Sequence, residues 1–318
     1  MVDLLRRPLP TVLARPVASI PASGGMPGGA RYEPKWDGVR ATVARREDGV
    51  SLWSRRGTDL TAAFPEISAA AAGLPGGTVL DGEVVAWVDG RLYFDVLLAR
   101  INVGSKRAAA LARENPASLV LFDVLVADGT DVRPLPYDER RRLLEQLTLE
   151  PPLALSPMTE DQAIAEQWFD DMAAAGIEGL VVKGGSQPYR GGERLWVKVK
   201  RRETIDVVVA AVIGPITRPT ELVVGDLVDG ELRIVGRSTP LSPAASRQLG
   251  QQLRPPAGAH PWPEVVPPGA LSRFHGRGEP VQLTLVEPVV AEVSADSARV
   301  GGSFRHAVRF VRLRSDLS

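Results

Sequence analysis

Near residue 202 the texture of the chain changes. Before that point, short β-rich runs at 40–45, 50–54, 78–87, 118–126, 179–183 and 195–200 alternate with helical stretches. The helical candidates are 62–72, 106–113, 138–147 and 161–175. In the last of these Ile164, Trp168 and Met172 recur every four residues and Gly176 stands where a helix would end. Strands and helices in this order, without a strict βαβ repeat, predict an α+β fold of antiparallel sheets with flanking helices. After residue 202 short strands at 207–213, 222–227 and 232–237 are separated by Gly, Pro and Asp turns. One helix is expected at 243–253, then a Pro-dense loop at 255–268 and strands at 281–285, 291–294 and 307–314. Several strands with a single helix in about a hundred residues is the pattern of an OB-type barrel. The sequence therefore predicts two domains, 1–202 and 203–318, the second an OB-fold β-barrel joined through a charged hinge.

The composition narrows the chemistry. There is no cysteine, which removes disulfides, thiol catalysis and cysteine-based zinc sites. The three histidines, His260, His275 and His306, are not spaced as metal ligands. No apolar run approaches the length of a membrane span, and no apolar segment long enough for a signal peptide follows the N-terminal arginines; a cytoplasmic protein is expected. The net charge is zero, but it is unevenly spread. Residues 183–202 hold seven basic side chains and one acidic, and 299–316 hold five arginines and one aspartate. A basic groove can coexist with a neutral total.

Within the first domain, Glu33-Pro34-Lys35-Trp36-Asp37-Gly38-Val39-Arg40 sets a lysine just before an Asp-Gly turn and an arginine at the start of a strand. A lysine attacks phosphorus only as the neutral amine, which calls for burial or neighbouring cations. Alone, the octapeptide also suits a surface lysine beside a turn. In Leu195-Trp196-Val197-Lys198-Val199-Lys200 the period of two puts both lysines on one face of a strand. Two cations side by side suit a phosphate between them, although a solvated edge strand has the same pattern. Asp81 and Glu83 share one face of a strand, and Glu178 stands at the mouth of another; strand-end carboxylates without histidine suit magnesium on a nucleotide. Phe122 offers a ring where a base could stack, or simply a core side chain.

In order along the chain, Lys35-x-Asp37-Gly38-x-Arg40, Ser54-Arg55-Arg56-Gly57, Asp81-Gly82-Glu83, Leu121-Phe122-Asp123, Glu178-Gly179-Leu180-Val181-Val182-Lys183, Trp196-Val197-Lys198-Val199-Lys200 and the tail from Arg305 to Asp316 resemble the motifs of the covalent nucleotidyltransferases. That superfamily holds ATP-dependent DNA ligases, RNA ligases and capping enzymes. One such motif carries little; seven in order carry the resemblance. The run Val286-Glu287-Pro288-Val289-Val290-Ala291-Glu292-Val293, followed by Gly301-Gly302 and Phe304-Arg305-His306, is similar to the closing strands of a ligase OB domain. The nearest type is the bacterial two-domain class labelled LigC, together with the ligase module of bacterial end-joining enzymes.

The resemblance implies roles. Lys35 would take AMP from ATP, the adenylate would pass to the 5′-phosphate of a nick, and the 3′-hydroxyl would then displace AMP. Arg40 and Glu83 would contact the ribose, Phe122 would stack on adenine, and Glu33 would lie beside the backbone that reads the adenine edge. Lys198 and Lys200 would hold the α-phosphate. Glu178, with Asp81 as a second candidate, would help place a divalent metal, Mg²⁺ or Mn²⁺. Arg55, Arg56 and Lys183 would meet the nick phosphate or the DNA. Arg309, Arg312, Arg314 and Asp316 would orient pyrophosphate. By period two, Phe310, Arg312 and Arg314 share one strand face and Arg309, Val311 and Leu313 the other, with Val311 and Leu313 marking the packed side.

Ala307, where the family commonly has proline, and Leu317, where it has lysine, depart from the pattern. The implied partner is nicked double-stranded DNA, with end-joining or repair proteins beside it, and the expected state is a nucleoid-associated monomer. Two alternatives stay open on sequence alone: a GTP-dependent guanylyltransferase of the capping type, and a non-catalytic OB-based nucleic-acid-binding module.

Overall fold

A computed structural model describes residues 4–101, 103–201, 203–228, 230–271, 279–295, 299–300 and 302–314. The chain divides into two compact units, Met1–Arg201 and Arg202–Ser318.

In the first unit the strands are β1 (Ala14–Pro16), β2 (Ala30–Pro34), β3 (Val39–Arg46), β4 (Gly49–Ser54), β5 (Thr78–Val88), β6 (Arg91–Leu92), β7 (Ala117–Ala127), β8 (Thr130–Asp131), β9 (Leu153–Leu155), β10 (Gly179–Gly184) and β11 (Trp196–Lys200). The helices are α1 (Pro65–Ala71), α2 (Phe94–Leu98), α3 (Ser105–Glu114), α4 (Tyr137–Glu145) and α5 (Gln162–Asp171). Two sheets form. One has the order β1-β11-β10-β2; the other runs β4-β3-β5-β7-β8, with β6 and β9 added beside β5 and β7. Pairing is antiparallel except for β1 on β11 and β9 on β7. The outcome is a mixed α/β unit of sheets with few helices, on predominantly antiparallel sheets.

Alternation along the strands builds the layers. On β3, Ala41 and Val43 join a core with Phe64, Ile67 and Leu144, while Ala44 faces the other way, into a cluster with Phe122, Leu125, Tyr189 and Trp196. That second cluster lies between the two sheets. On β11, Trp196 enters it and Val197 points outward, onto a third core with Tyr32, Leu180 and Ala165 of α5. Asp161 caps α5 by accepting from the backbone N–H of Ala163 at 2.7 Å, and a short 3₁₀ turn, Met172–Ala175, ends at Gly176 as expected.

Strand β7 departs from simple alternation. Opposite β5, Asp81 pairs with Asp123 and Gly82 with Leu121, so Phe122 is an extra residue; a second irregularity leaves Leu125 extra. Both bulged side chains turn into the cluster between the sheets.

The second unit holds β12 (Glu203–Ile213), β13 (Glu221–Val228), β14 (Glu231–Arg237), α6 (Pro243–Gln252), β15 (Val265–Val266), α7 (Pro268–Leu271), β16 (Val281–Gln282), β17 (Thr284–Ala295), β18 (Arg299–Val300), β19 (Ser303–Phe304) and β20 (Arg309–Leu313). Five of the strands make an antiparallel sheet in the order β14-β13-β12-β17-β20. Beyond its two edges, Ser238 and Val308 form a parallel bridge, with Val308 N–H on Arg237 O at 3.0 Å and Thr239 N–H on Val308 O at 2.7 Å. Apolar clusters cover both faces, one including Leu249 and Phe304, the other Trp262, Val266 and Leu271.

Two expectations here need correction. The strand expected to end at 285 and the strand expected at 291–294 are both parts of β17, which runs through Pro288. Val209 pairs with Val289 but Ala211 with Leu285, so Pro288 falls in an irregular stretch where its missing N–H costs no ladder bond. The face assignment on β20 also fails. Leu313 pairs with Ala291, Arg312 with Glu292 and Phe310 with Val293, which leaves Val311 as the extra residue. Phe310 and Leu313 pack on the core, and Val311 is 45% exposed.

Candidate nucleotide-binding site

The site is built where β2 hands over to β10. Lys35, one residue past the end of β2, donates its backbone N–H to Gly179 O at 2.8 Å, and Glu178 donates its own to Lys35 O at 3.0 Å. These two bonds set the lysine and the glutamate side by side at the same end of the sheet. Gly179 is required there. Its φ is +139°, and a Cβ would come within 2.1 Å of Val199 O on β11. The Lys35 and Glu178 side chains form an ion pair, and Lys200 Nζ lies 3.4 Å from the same Glu178 oxygen.

Next to this pair lies a cavity of about 380 Å³ between the two sheets. Among its walls are Glu33, Lys35, Arg40, Arg55, Glu83, Phe122, Lys183 and Lys198, which the sequence reading singled out, together with Trp196, Val181, Arg194 and Leu13. The lining combines rings and aliphatics with cations, and Arg40 lies against two of the rings. Its guanidinium sits 5.4 Å from the Phe122 ring centroid and 5.0 Å from that of Trp196, and it grips Asp81 through two bonds of 3.1 and 2.7 Å. Lys198 projects from β11 into the cavity, and burial lowers its pKa, with Lys35 and Lys200 pushing the same way. Glu83, half-buried, has its carboxyl pushed up to about 8 by desolvation, against the opposing pull of Lys35 and Arg40. The arrangement sets rings that suit a flat group beside cations and the Lys35 amine. It suits a nucleotide whose phosphates approach Lys35.

Some expected residues stand elsewhere. Asp81 is fully buried, held by Arg40 and by the Tyr189 hydroxyl at 2.6 Å, so it does not suit a metal ligand. Lys183 is fully buried with its Nζ 2.8 Å from Glu33 and 2.8 Å from Phe122 O; an ammonium so enclosed does not suit contact with a nick phosphate or DNA. Arg56 follows β4 outside the cavity lining, whereas Arg55 lines it. In the second unit Arg312 pairs with Glu292 at 2.6 Å and Arg314 with Asp206 at 2.8 Å, and Arg309 is exposed. Asp316 lies outside the described residues.

Sequence reasoning missed three contributors. Trp196 has no role of its own in the sequence motif, yet it forms a cavity wall and stands edge-on to Phe122 and Tyr189. Tyr137, at the start of α4, donates to Glu33. Tyr189 joins Asp81. The run Tyr137-Asp138-Glu139-Arg140-Arg141 reads in sequence as a solvated charged face. Its Tyr, Arg140 and Arg141 are all buried, on a helix where a core face would ordinarily be aliphatic.

No group of three metal-ligating side chains occurs among the described residues. The donor chemistry fits an ion that takes one or two carboxylates and leaves its other positions to phosphates and water, as Mg²⁺ does. Glu178, ion-paired with Lys35, is a carboxylate that suits such an ion. No described helix is long and apolar enough to cross a membrane.

The family model described as the ATP dependent DNA ligase domain matches residues 11–200. DNA ligase C2 of Mycolicibacterium smegmatis is 33% identical over 92% of this chain and 88% of its own length; DNA ligase C of Mycobacterium tuberculosis is 32% identical over 97% and 90%. Among solved structures, the ligase domain of M. tuberculosis LigD covers 96% of this chain and 95% of that one, at 27% identity and a TM-score of 0.50. A structure from the Lig E DNA ligases has the same fold, with a TM-score of 0.56 at 19% identity over 96% and 99%. These matches do not favour the guanylyltransferase or the non-catalytic reading. The chain belongs to the ATP-dependent DNA ligase family.

Proposed function

We propose that the cavity is the adenylation site and that Lys35 is its nucleophile. The observation that carries this reading is the placement of the Lys35 amine, ion-paired to Glu178, at the edge of a cavity that holds Lys198 and is walled by Phe122, Trp196 and Arg40. In the first step Lys35 Nζ attacks the α-phosphorus of ATP, forming the P–N bond as the bond to pyrophosphate breaks. In the second, a 5′-phosphate oxygen of the nick displaces Lys35 and takes the adenylate. In the third, the 3′-hydroxyl attacks that 5′-phosphorus and releases AMP. Each step is an in-line displacement in which charge builds on phosphate oxygens, so cations and positioning supply most of the catalysis.

Lys198 and Lys200 supply positive charge at the α-phosphate, and Arg55 and Arg56 suit the 5′-phosphate of the nick. The Phe122 ring would stack on adenine, with Arg40 and Glu83 toward the ribose and Glu33 at the base edge. Glu178 would hold a divalent ion, Mg²⁺ or Mn²⁺, whose chemistry when bound is to neutralise phosphate oxygens. For the amine to attack, Lys35 must give up its ion pair with Glu178 and its proton.

The second unit reads as an OB-type barrel. The Ser238–Val308 bridge beyond the two edge strands of its five-stranded sheet supports that reading. It would supply Arg309, Arg312, Arg314 and Asp316 for pyrophosphate orientation. The substrate is nicked double-stranded DNA. A monomer in the cytoplasm at the nucleoid, working with end-joining or repair proteins, fits this role. A sealing assay on a nicked duplex with a 5′-phosphate tests the reading: joining should need ATP and a divalent ion. Joining supported equally by GTP would overturn the adenine assignment.

A further inference from the structure

Lys183 is a fully buried part of the cavity wall, among groups that also line it. Its Nζ lies 2.8 Å from Glu33 Oε1 and 2.8 Å from Phe122 O. The same nitrogen is 4.4 Å from the Trp196 ring centroid and 4.7 Å from those of Phe122 and Tyr137. The Tyr137 hydroxyl donates to that Glu33 oxygen as well. Burial lowers the Lys183 pKa and Glu33 opposes the change, so carboxylate and ammonium depend on one another.

A buried ammonium is costly, and a methionine would fill similar space without charge. What the charge adds is two fixed directions. Toward β2 it holds Glu33 as an acceptor. Toward β7 it ties down Phe122, the bulge residue that has no counterpart on β5 to set its position. Both Glu33 and Phe122 line the cavity.

We infer that Lys183 and Tyr137 are positioning residues for nucleobase selection, acting through Glu33 and Phe122 without touching the nucleotide. The inference rests on the proposed reading of the cavity as an adenine site. A carboxylate locked as an acceptor favours a base presenting an exocyclic amine, as adenine does at C6. It repels one presenting a carbonyl oxygen there, as guanine does. Loss of either tie lets the carboxylate and the ring wander, so the base contributes less to binding while the phosphates bind as before.

The test uses the full chain with Tyr137→Phe, which removes one oxygen, and Lys183→Met. Covalent labelling is followed against ATP and GTP concentration, and ribose 5′-triphosphate serves as a competitor that has no base. Tyr137→Phe should raise the ATP concentration for half-maximal labelling about tenfold, the effect expected for a hydrogen bond to a charged group. The maximal rate should fall much less, the preference for ATP over GTP should narrow, and inhibition by ribose 5′-triphosphate should stay constant. Lys183→Met should act in the same direction and more strongly; if it fails to fold, Tyr137→Phe decides alone. An unchanged ATP-to-GTP preference, or equal weakening of ATP and ribose 5′-triphosphate, overturns the inference. Wild-type protein that takes no label from ATP overturns the adenine reading itself, and this inference with it.

Discussion

Glu178 is bound to Lys35 twice: its backbone N–H donates to Lys35 O at 3.0 Å, and its carboxylate is ion-paired with the Lys35 amine. The backbone bond fixes the spacing between the two residues whatever their side chains do. The carboxylate, 6% exposed and also 3.4 Å from Lys200, is then placed to hold the amine before ATP binds. Glu178→Gln keeps the volume and removes that charge. Single-turnover formation of the lysyl adduct should slow by about two orders of magnitude, the cost of a misplaced reacting group. A rate within a few-fold of wild type would show that Glu178 neither positions the amine nor holds an ion the step needs.

Glu83 gives a pH prediction. Its carboxyl is raised to about 8 in the folded protein, chiefly by desolvation. The folded state therefore holds a proton that the unfolded chain releases near its ordinary carboxylate pKa. The native state binds more protons in between, so this group's contribution to stability is fully present below that ordinary value and is lost as pH rises through 8. Glu83→Gln should flatten this fall. The variant should gain a few degrees in Tm relative to wild type at pH 8.5 and gain little at pH 4.5. A gain that is the same at both pH values would contradict the shift.

The scaffold behind the site depends on a pair with both side chains fully buried: Arg140 donates to Asp123 at 2.7 and 3.0 Å. Asp123 lies next to the bulged Phe122 on β7. Removing one partner leaves an uncompensated buried charge, which costs roughly 3–5 kcal/mol. Asp123→Ala should show that loss in denaturant unfolding. A loss below about 1 kcal/mol would show that the pair is relaxed or hydrated.

Arg312 and Arg314 are engaged by Glu292 and Asp206 in this structure, so service at a leaving pyrophosphate requires them to exchange carboxylate for phosphate. Arg312→Ala and Arg314→Ala should slow adduct formation by orders of magnitude. They should spare sealing of a nick that already carries a 5′-adenylate, where no pyrophosphate is present. Equal damage to both reactions would mean that these arginines act through folding or DNA binding.

Much of the site was legible because its residues ride on strands with plain alternation. The pattern of β11 put Lys198 and Lys200 on one face and Val197 and Val199 on the other, as the burial of the valines bears out. Strand β2 was not legible. In Ala30-Arg31-Tyr32-Glu33-Pro34 two charged residues are largely buried, each matched by a partner distant in sequence, Asp138 for Arg31 and Lys183 for Glu33, so no hydrophobic period survives. Lys183 read as a DNA contact for the same reason: a lysine looks solvated until its buried partner is known. The failures at Pro288 and Val311 have a common cause. Each lies at a bulge or irregularity, and a bulge is a relation between two strands that neither sequence displays alone.

Peptide mapping of the protein after incubation with α-³²P-labelled ATP and Mg²⁺ tests the account most directly, with Lys35→Ala run in parallel. The account predicts one labelled peptide, holding Lys35, through an acid-labile, base-stable phosphoramidate bond. The variant should take no label, yet still seal some nicked DNA that already carries a 5′-adenylate. Label on another lysine, such as Lys198 or Lys200, or a variant labelled to the wild-type extent, would contradict it.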